Sequence, residues 1–132
     1  ERIVATGDLV VSPTPFAFYS TLSAWAATLR RLARLDATTI VPGHGDVMHD
    51  WTYVNQLASL IDTTWRQVQQ SVAAGADLAA ARKAVNVDGF RASFGRGTPE
   101  QRKRSFDGLY LTPAVESAFN ELKPDSSAAG NR

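Results

Sequence analysis

Apolar and polar positions along this chain follow two rhythms. Ile3, Val4, Leu9, Val10 and Val11 form a short, near-continuous apolar run around Gly7-Asp8, and Thr38, Thr39, Ile40 and Val41 form a second. Runs of this kind predict strands covered on both faces. Ser12-Pro13-Thr14-Pro15 breaks regular structure after the first, and Pro42 is expected to stop the second. Elsewhere apolar residues recur every three or four positions, which puts them on one helix face. Leu22, Trp25, Leu29 and Leu32 make one such stripe, in a helix expected to start at Ser20 as N-cap. Arg30, Arg31 and Arg34 lie late in it, where the helix dipole favours positive charge. Val54, Leu57, Ile61, Trp65, Val68 and Val72 make the second stripe, capped by Asp50 and running to about Ala74. At about 1.5 Å per residue this helix is roughly 35 Å long. Gly75 suits the left-handed residue that closes a helix.

Beyond it the pattern stays helical but less regular. Asp77 caps a short helix carrying Leu78, Ala81 and Val85, and Asn86-Val87-Asp88-Gly89 reads as a turn. Thr98-Pro99-Glu100-Gln101 holds a cap, a first-turn proline and a capping-box glutamine. Thr112-Pro113 is expected to open a last helix with Val115, Ala118, Phe119 and Leu122. Residues 124–132 are small and polar, and predict disorder. No internal repeat is visible. The order strand, helix, strand, helix defines an α/β class over residues 1–75, with a helical extension over 76–123 and a tail over 124–132.

Composition narrows the picture only a little. A chain of 132 residues with 44% hydrophobic and 20% charged residues supports one modest globular domain. A net charge of +1 provides no global field for nucleic acid. No apolar run reaches a membrane-spanning length. The absence of cysteine removes disulfides and thiolate metal ligands and leaves the compartment open. Arginine-dominated basic content and alanine-rich helices point to a high-GC bacterium, with cytoplasm and periplasm both open. Glu1 begins inside an apparent strand, so further residues are expected upstream.

Candidate chemistry sits at the ends of the two strands. Asp8 follows Gly7 at the first strand's end and could bridge two metal ions or hydrogen-bond the amides of its own turn. His44 lies between Gly43 and Gly45 in Pro42-Gly43-His44-Gly45. Flanking glycines let the backbone approach closely, as holding an imidazole against a metal requires. Asp46 is placed to orient His44 or to cap the turn, and His49 reads as an exposed residue at a helix start.

Thr6-Gly7-Asp8 and Pro42-Gly43-His44-Gly45, with a crossover helix between them, resemble the fourth and fifth motifs of the metallo-β-lactamase superfamily of zinc hydrolases. The resemblance covers roughly residues 2–74. It implies the C-terminal half of an αββα sandwich, followed by a small helical C-terminal extension. It implies Asp8 as a ligand bridging two zinc ions and His44 as a ligand of the second zinc, both catalytic in that sense. The implied reaction is attack of metal-bound hydroxide on an ester, lactone, lactam or similar bond of a small-molecule substrate. An aspartate in the bridging position is similar to the broad thioesterase, lactonase and phosphodiesterase lineage.

The family's His-x-His-x-Asp-His cluster is missing, and His44 and His49 are the chain's two histidines. A catalytic zinc takes three protein ligands plus water. The resemblance therefore implies a missing N-terminal half of the same domain, without which the chain is inactive. It also implies an uncovered apolar sheet face, a surface for a homodimer. The alternative is a non-catalytic helical interaction module that keeps both motifs only as turns.

Three further groups of residues stand out. Pro15, Phe16, Phe18 and Tyr19 follow the Asp8 strand and either pack under the first helix or border the site's mouth. Trp25, Trp51 and Trp65 fit core positions. Arg91, Arg96, Arg102, Lys103 and Arg104 outnumber Asp88 and Glu100, but no aromatic interleaving or reader motif accompanies them, so they read as a solvated helix face. No nucleic-acid or membrane partner is expected.

Overall fold

The computed structural model describes residues 2–123, so the expected disorder of 124–132 lies outside the described residues. Among them the chain is mixed α/β, with a two-stranded parallel sheet and five α-helices. Strand β1 (Ile3–Val11) leads through helix α1 (Leu22–Leu32) to strand β2 (Thr39–His44), a strand-helix-strand crossover. Helix α2 (Thr52–Ala73) follows, then α3 (Leu78–Ala84) and a short 3-10 turn over Asp88–Ser93.

The helical stripes become the core. Leu22, Trp25 and Leu29 of α1 and Val54, Leu57, Ile61 and Val68 of α2 are buried, with Trp65 and Val72 packed at the margin. Helix α2 packs against α1, α3 and the last helix. Buried residues from Val10 to Ala118 form one cluster, so residues 76–123 share their apolar interior with the strand-helix unit before them. Three expected caps are present. Gly75 adopts φ +82° and its N–H donates to Val72 O, while Ala76 N–H donates to Ser71 O, a complete Schellman closure. Asp77 accepts from Ala80 N–H at 2.8 Å, and Thr98 and Gln101 form the capping box. At α2 the N-cap position falls to Trp51, without a side-chain bond, and Asp50 one residue earlier accepts from Thr52 N–H at 2.8 Å. That hydrogen bond holds its carboxyl below the usual carboxylate range.

Three expectations need correction. The strands are not covered on both faces: Thr6, Val10, Ile40 and Pro42 are buried, while Leu9, Val41 and Ile3, the last at 54%, stay exposed. Strand β2 does not stop at Pro42 but runs on to His44. The register shifts there, Ala5 facing Val41 and Gly7 facing Pro42, and a proline with no N–H is tolerated where the ladder is interrupted. Ser20 does not cap α1. Its hydroxyl donates to Ala17 O at 2.7 Å, and Thr21 takes the N-cap position without a side-chain bond.

Thr112-Pro113 opens the last helix as expected, but directly out of a preceding helical turn and not out of a loop. Helix α4 (Pro99–Ser105), a π-helical turn (Phe106–Leu111) and helix α5 (Thr112–Leu122) follow one another with helical dihedrals at each junction. Pro113 has no N–H for the carbonyl of Leu109, four residues back. That carbonyl accepts instead from Ala17 N–H at 2.9 Å, in the loop after β1. The same loop is tied a second time where Gly95 N–H donates to Pro13 O at 2.8 Å. The C-terminal helices thus position the loop that borders the strand ends.

Candidate metal centre

The site is made by two parallel strand ends brought unusually close. A Cβ on Gly43 would lie 2.3 Å from Asp8 Oδ1 and 2.6 Å from the Gly7 carbonyl carbon, so only glycine fits there. Gly45 has φ +99°, and a Cβ on it would lie 2.4 Å from Ser12 Oγ. The segment after Asp8 is pinned by helix side chains. Trp25 Nε1 of α1 donates to Leu9 O at 3.0 Å, and Tyr53 Oη of α2 donates to Val11 O at 2.7 Å. Ser12 N–H donates to His44 O at 3.1 Å, which locks the two strand ends together. Burial pushes the Tyr53 phenol above its usual range, so it stays a donor at neutral pH.

The result is a pair of potential ligands side by side. His44 Nε2 lies 3.4 Å from Asp8 Oδ1, with the side chains 70% and 77% exposed. That separation is long for a hydrogen bond between them. No lysine or arginine among the described residues competes for the Asp8 carboxylate in an ion pair. A carboxylate oxygen and an imidazole nitrogen, both open to solvent, are donors that zinc accepts. Among the described residues no group of three or more histidine, aspartate or glutamate side chains is assembled, so the pair fits as part of a metal site and does not complete one.

Two depressions flank Asp8. One, of about 440 Å³, is lined by Asp8, Val11, Ser12, Phe16, His44 and Leu109, with Pro13 and Thr14. The other, of about 570 Å³, lies between the end of β1 and α1 and is bordered by Leu9, Phe16, Phe18, Tyr19 and Trp25. Phe16, Phe18 and Tyr19 are exposed and line the second depression together with Asp8 and α1, while Pro15 is buried.

The chain matches no known family model, and no curated protein matches it. The site therefore stands on its own geometry.

Several neighbours take roles that spacing did not reveal. Asp46 does not orient His44; its carboxylate accepts from Arg96 Nη2 at 2.8 Å and ties the turn after β2 to the segment before α4. His49 is exposed. Arg91 lies between Asp88 and Asp107, each at 2.8 Å, and its guanidinium sits 4.9 Å from the Phe106 ring centroid. Burial works against its charge, but the two carboxylates outweigh that and hold its pKa above the ordinary value. The Leu9 and Val11 carbonyls, received by Trp25 and Tyr53, escaped sequence reasoning because a main-chain acceptor leaves no mark on residue type. Gly43 was legible as a glycine but not as the contact point of Asp8.

Proposed function

We propose that residues 1–75 are the C-terminal half of a metallo-β-lactamase-type αββα domain, that residues 76–123 are its helical extension, and that the complete protein is a zinc-dependent hydrolase. The observation that supports this best is the 3.4 Å approach of Asp8 Oδ1 and His44 Nε2 at the ends of adjacent parallel strands. Asp8 would bridge two zinc ions and His44 would hold the second, with the remaining ligands supplied by an upstream segment of the same domain. Bound zinc supplies a nucleophilic water at neutral pH and polarises the carbonyl or phosphoryl oxygen of an ester, lactone, lactam or similar bond. The chain's own part is positional. Gly43 keeps the strand ends in contact, Trp25 and Tyr53 hold the segment after Asp8, and the Phe16–Tyr19 loop borders the approach to the pair. The exposed side chains Ile3, Leu9 and Val41 are the surface on which the N-terminal half would pack, or a second copy when that half is absent.

The lack of a third ligand among the described residues favours a second reading, a helical interaction module whose strand ends are only turns. Two measurements separate the two readings. A complete structural zinc site contributes about 10–16 kcal/mol, and two ligands recover a small part of it. Calorimetry on the 132-residue chain should therefore show weak zinc binding, and tight stoichiometric binding by the monomer contradicts the account. In the complete gene product, His44→Ala should abolish hydrolysis and leave the fold intact. Unchanged activity favours the module.

A further inference from the structure

The depression between the end of β1 and α1 is not needed to hold metal, yet it opens on Asp8. Asp8 is the one ionisable side chain in its wall apart from the phenol of Tyr19; Leu9, Phe16, Phe18, Ala24 and Trp25 supply most of the rest. Two of its three hydroxyl side chains are turned to their own backbone, Ser20 Oγ donating to Ala17 O at 2.7 Å and Thr28 Oγ1 to Ala24 O at 2.8 Å, while Thr21 makes no side-chain cap bond. Ser20 and Thr28 present little to a polar guest. It is an open depression of about 570 Å³.

The loop that walls it holds one bulky residue in a strained conformation. Tyr19 sits at φ +60°, a left-handed conformation that a bulky side chain seldom adopts. Its ring is fully exposed and supports no other residue. Phe16 and Phe18 meet as tilted rings with centroids 4.7 Å apart, both partly exposed. Three aromatic residues within four positions are therefore held out of the core, at the rim of the depression that Asp8 shares. A guest between the loop and α1 would touch these rings.

We infer that this depression receives an uncharged apolar chain or ring attached to the bond that is cut, which makes the substrate a hydrophobic acyl or aryl derivative. The assignment rests on the hydrolase reading for the word substrate, but the binding surface is testable without metal.

The test is a titration of the 132-residue chain, free of zinc, with the methyl esters of butanoic, hexanoic and octanoic acids, followed by NMR at the Trp25 indole and the loop amides. Those signals should move, and affinity should rise about fourfold for each methylene buried. Tyr19→Gly should weaken binding of the octanoate ester about fivefold or more. Its thermal midpoint should stay level or rise, because glycine adopts that φ without strain. A purely structural tyrosine would show the reverse. Phe18→Ala, which removes a partly exposed ring, should lose affinity to a similar degree and decides the matter if Tyr19→Gly does not fold. Equal affinity along the ester series, signals that stay still, or undiminished binding by the folded variants overturns the proposal. Failure here leaves the zinc reading standing, whereas a complete protein indifferent to His44→Ala removes the zinc reading and leaves the apolar site in place.

Discussion

Two side-chain pairs sit at opposite extremes of this molecule. Thr64 and Tyr110 meet in the helical interior, both fully buried, with their hydroxyl oxygens 2.7 Å apart. Thr64 donates to Leu60 O at 2.9 Å, so Tyr110 must donate to Thr64, and each hydroxyl hydrogen has an acceptor. Asp8 and His44 meet at the sheet's end, mostly exposed, at a distance that leaves both with lone pairs to spare. The first pair is held by its surroundings and holds them in turn. The second is held only from behind, by glycine contact and by bonds to main-chain carbonyls. A satisfied buried pair contributes to stability; an exposed unsatisfied pair is available to a ligand.

The largest expected contrast comes from the core. Leu57 is completely buried, so Leu57→Ala should cost about 2–5 kcal/mol in urea denaturation. Gly43→Ala probes the site's scaffold. Its Cβ would fall 2.3 Å from Asp8 Oδ1, against backbone as well as side chain, and the strand ends must part. A loss of roughly 1–3 kcal/mol is expected, together with displaced Asp8 and His44 resonances. Retained stability and unchanged resonances would mean that the close approach is not what holds the pair.

A smaller effect separates the two regions by pH. Burial raises the phenol pKa of Tyr110, and of Tyr53 at the site, above the ordinary tyrosine value near 10. The unfolded chain therefore loses these protons first. Their contribution is complete below about pH 10 and falls as pH rises beyond it. Tyr110→Phe should remove about 1 kcal/mol at neutral pH, the usual net value of one hydrogen bond, and flatten the alkaline limb of the stability profile. An alkaline limb identical to that of the parent chain would assign the effect elsewhere.

The same division governs what the sequence makes legible. Stripes such as Leu22, Trp25 and Leu29 or Val54, Leu57 and Ile61 declare their helices because burial on one face imposes a period. Local caps at Asp77, Thr98 and Gly75 are legible because each satisfies its own neighbours. Pro113 marks the start of α5 correctly, but nothing local shows that the Leu109 carbonyl it leaves free is taken by Ala17, nearly a hundred residues earlier in the chain. Ser20 and Asp46 mislead, each matching a local role and then bonding elsewhere, to Ala17 and Arg96. At the site, the identities of Asp8 and His44 are legible from their glycine-flanked strand ends. The Trp25 and Tyr53 anchors are not, since main-chain acceptors can lie under any residue type. Covered strands were the natural expectation from apolar runs, and the exposure of Ile3, Leu9 and Val41 depends on what else meets the sheet.

The central claim is that Asp8 and His44 act on the same cation, and zinc titration of the chain followed by side-chain NMR tests it most directly. The carboxylate of Asp8 and the imidazole of His44 should shift together along one weak binding curve, while the ring of His49 stays still. Zinc that perturbs His49 alone, or His44 without Asp8, would contradict the account.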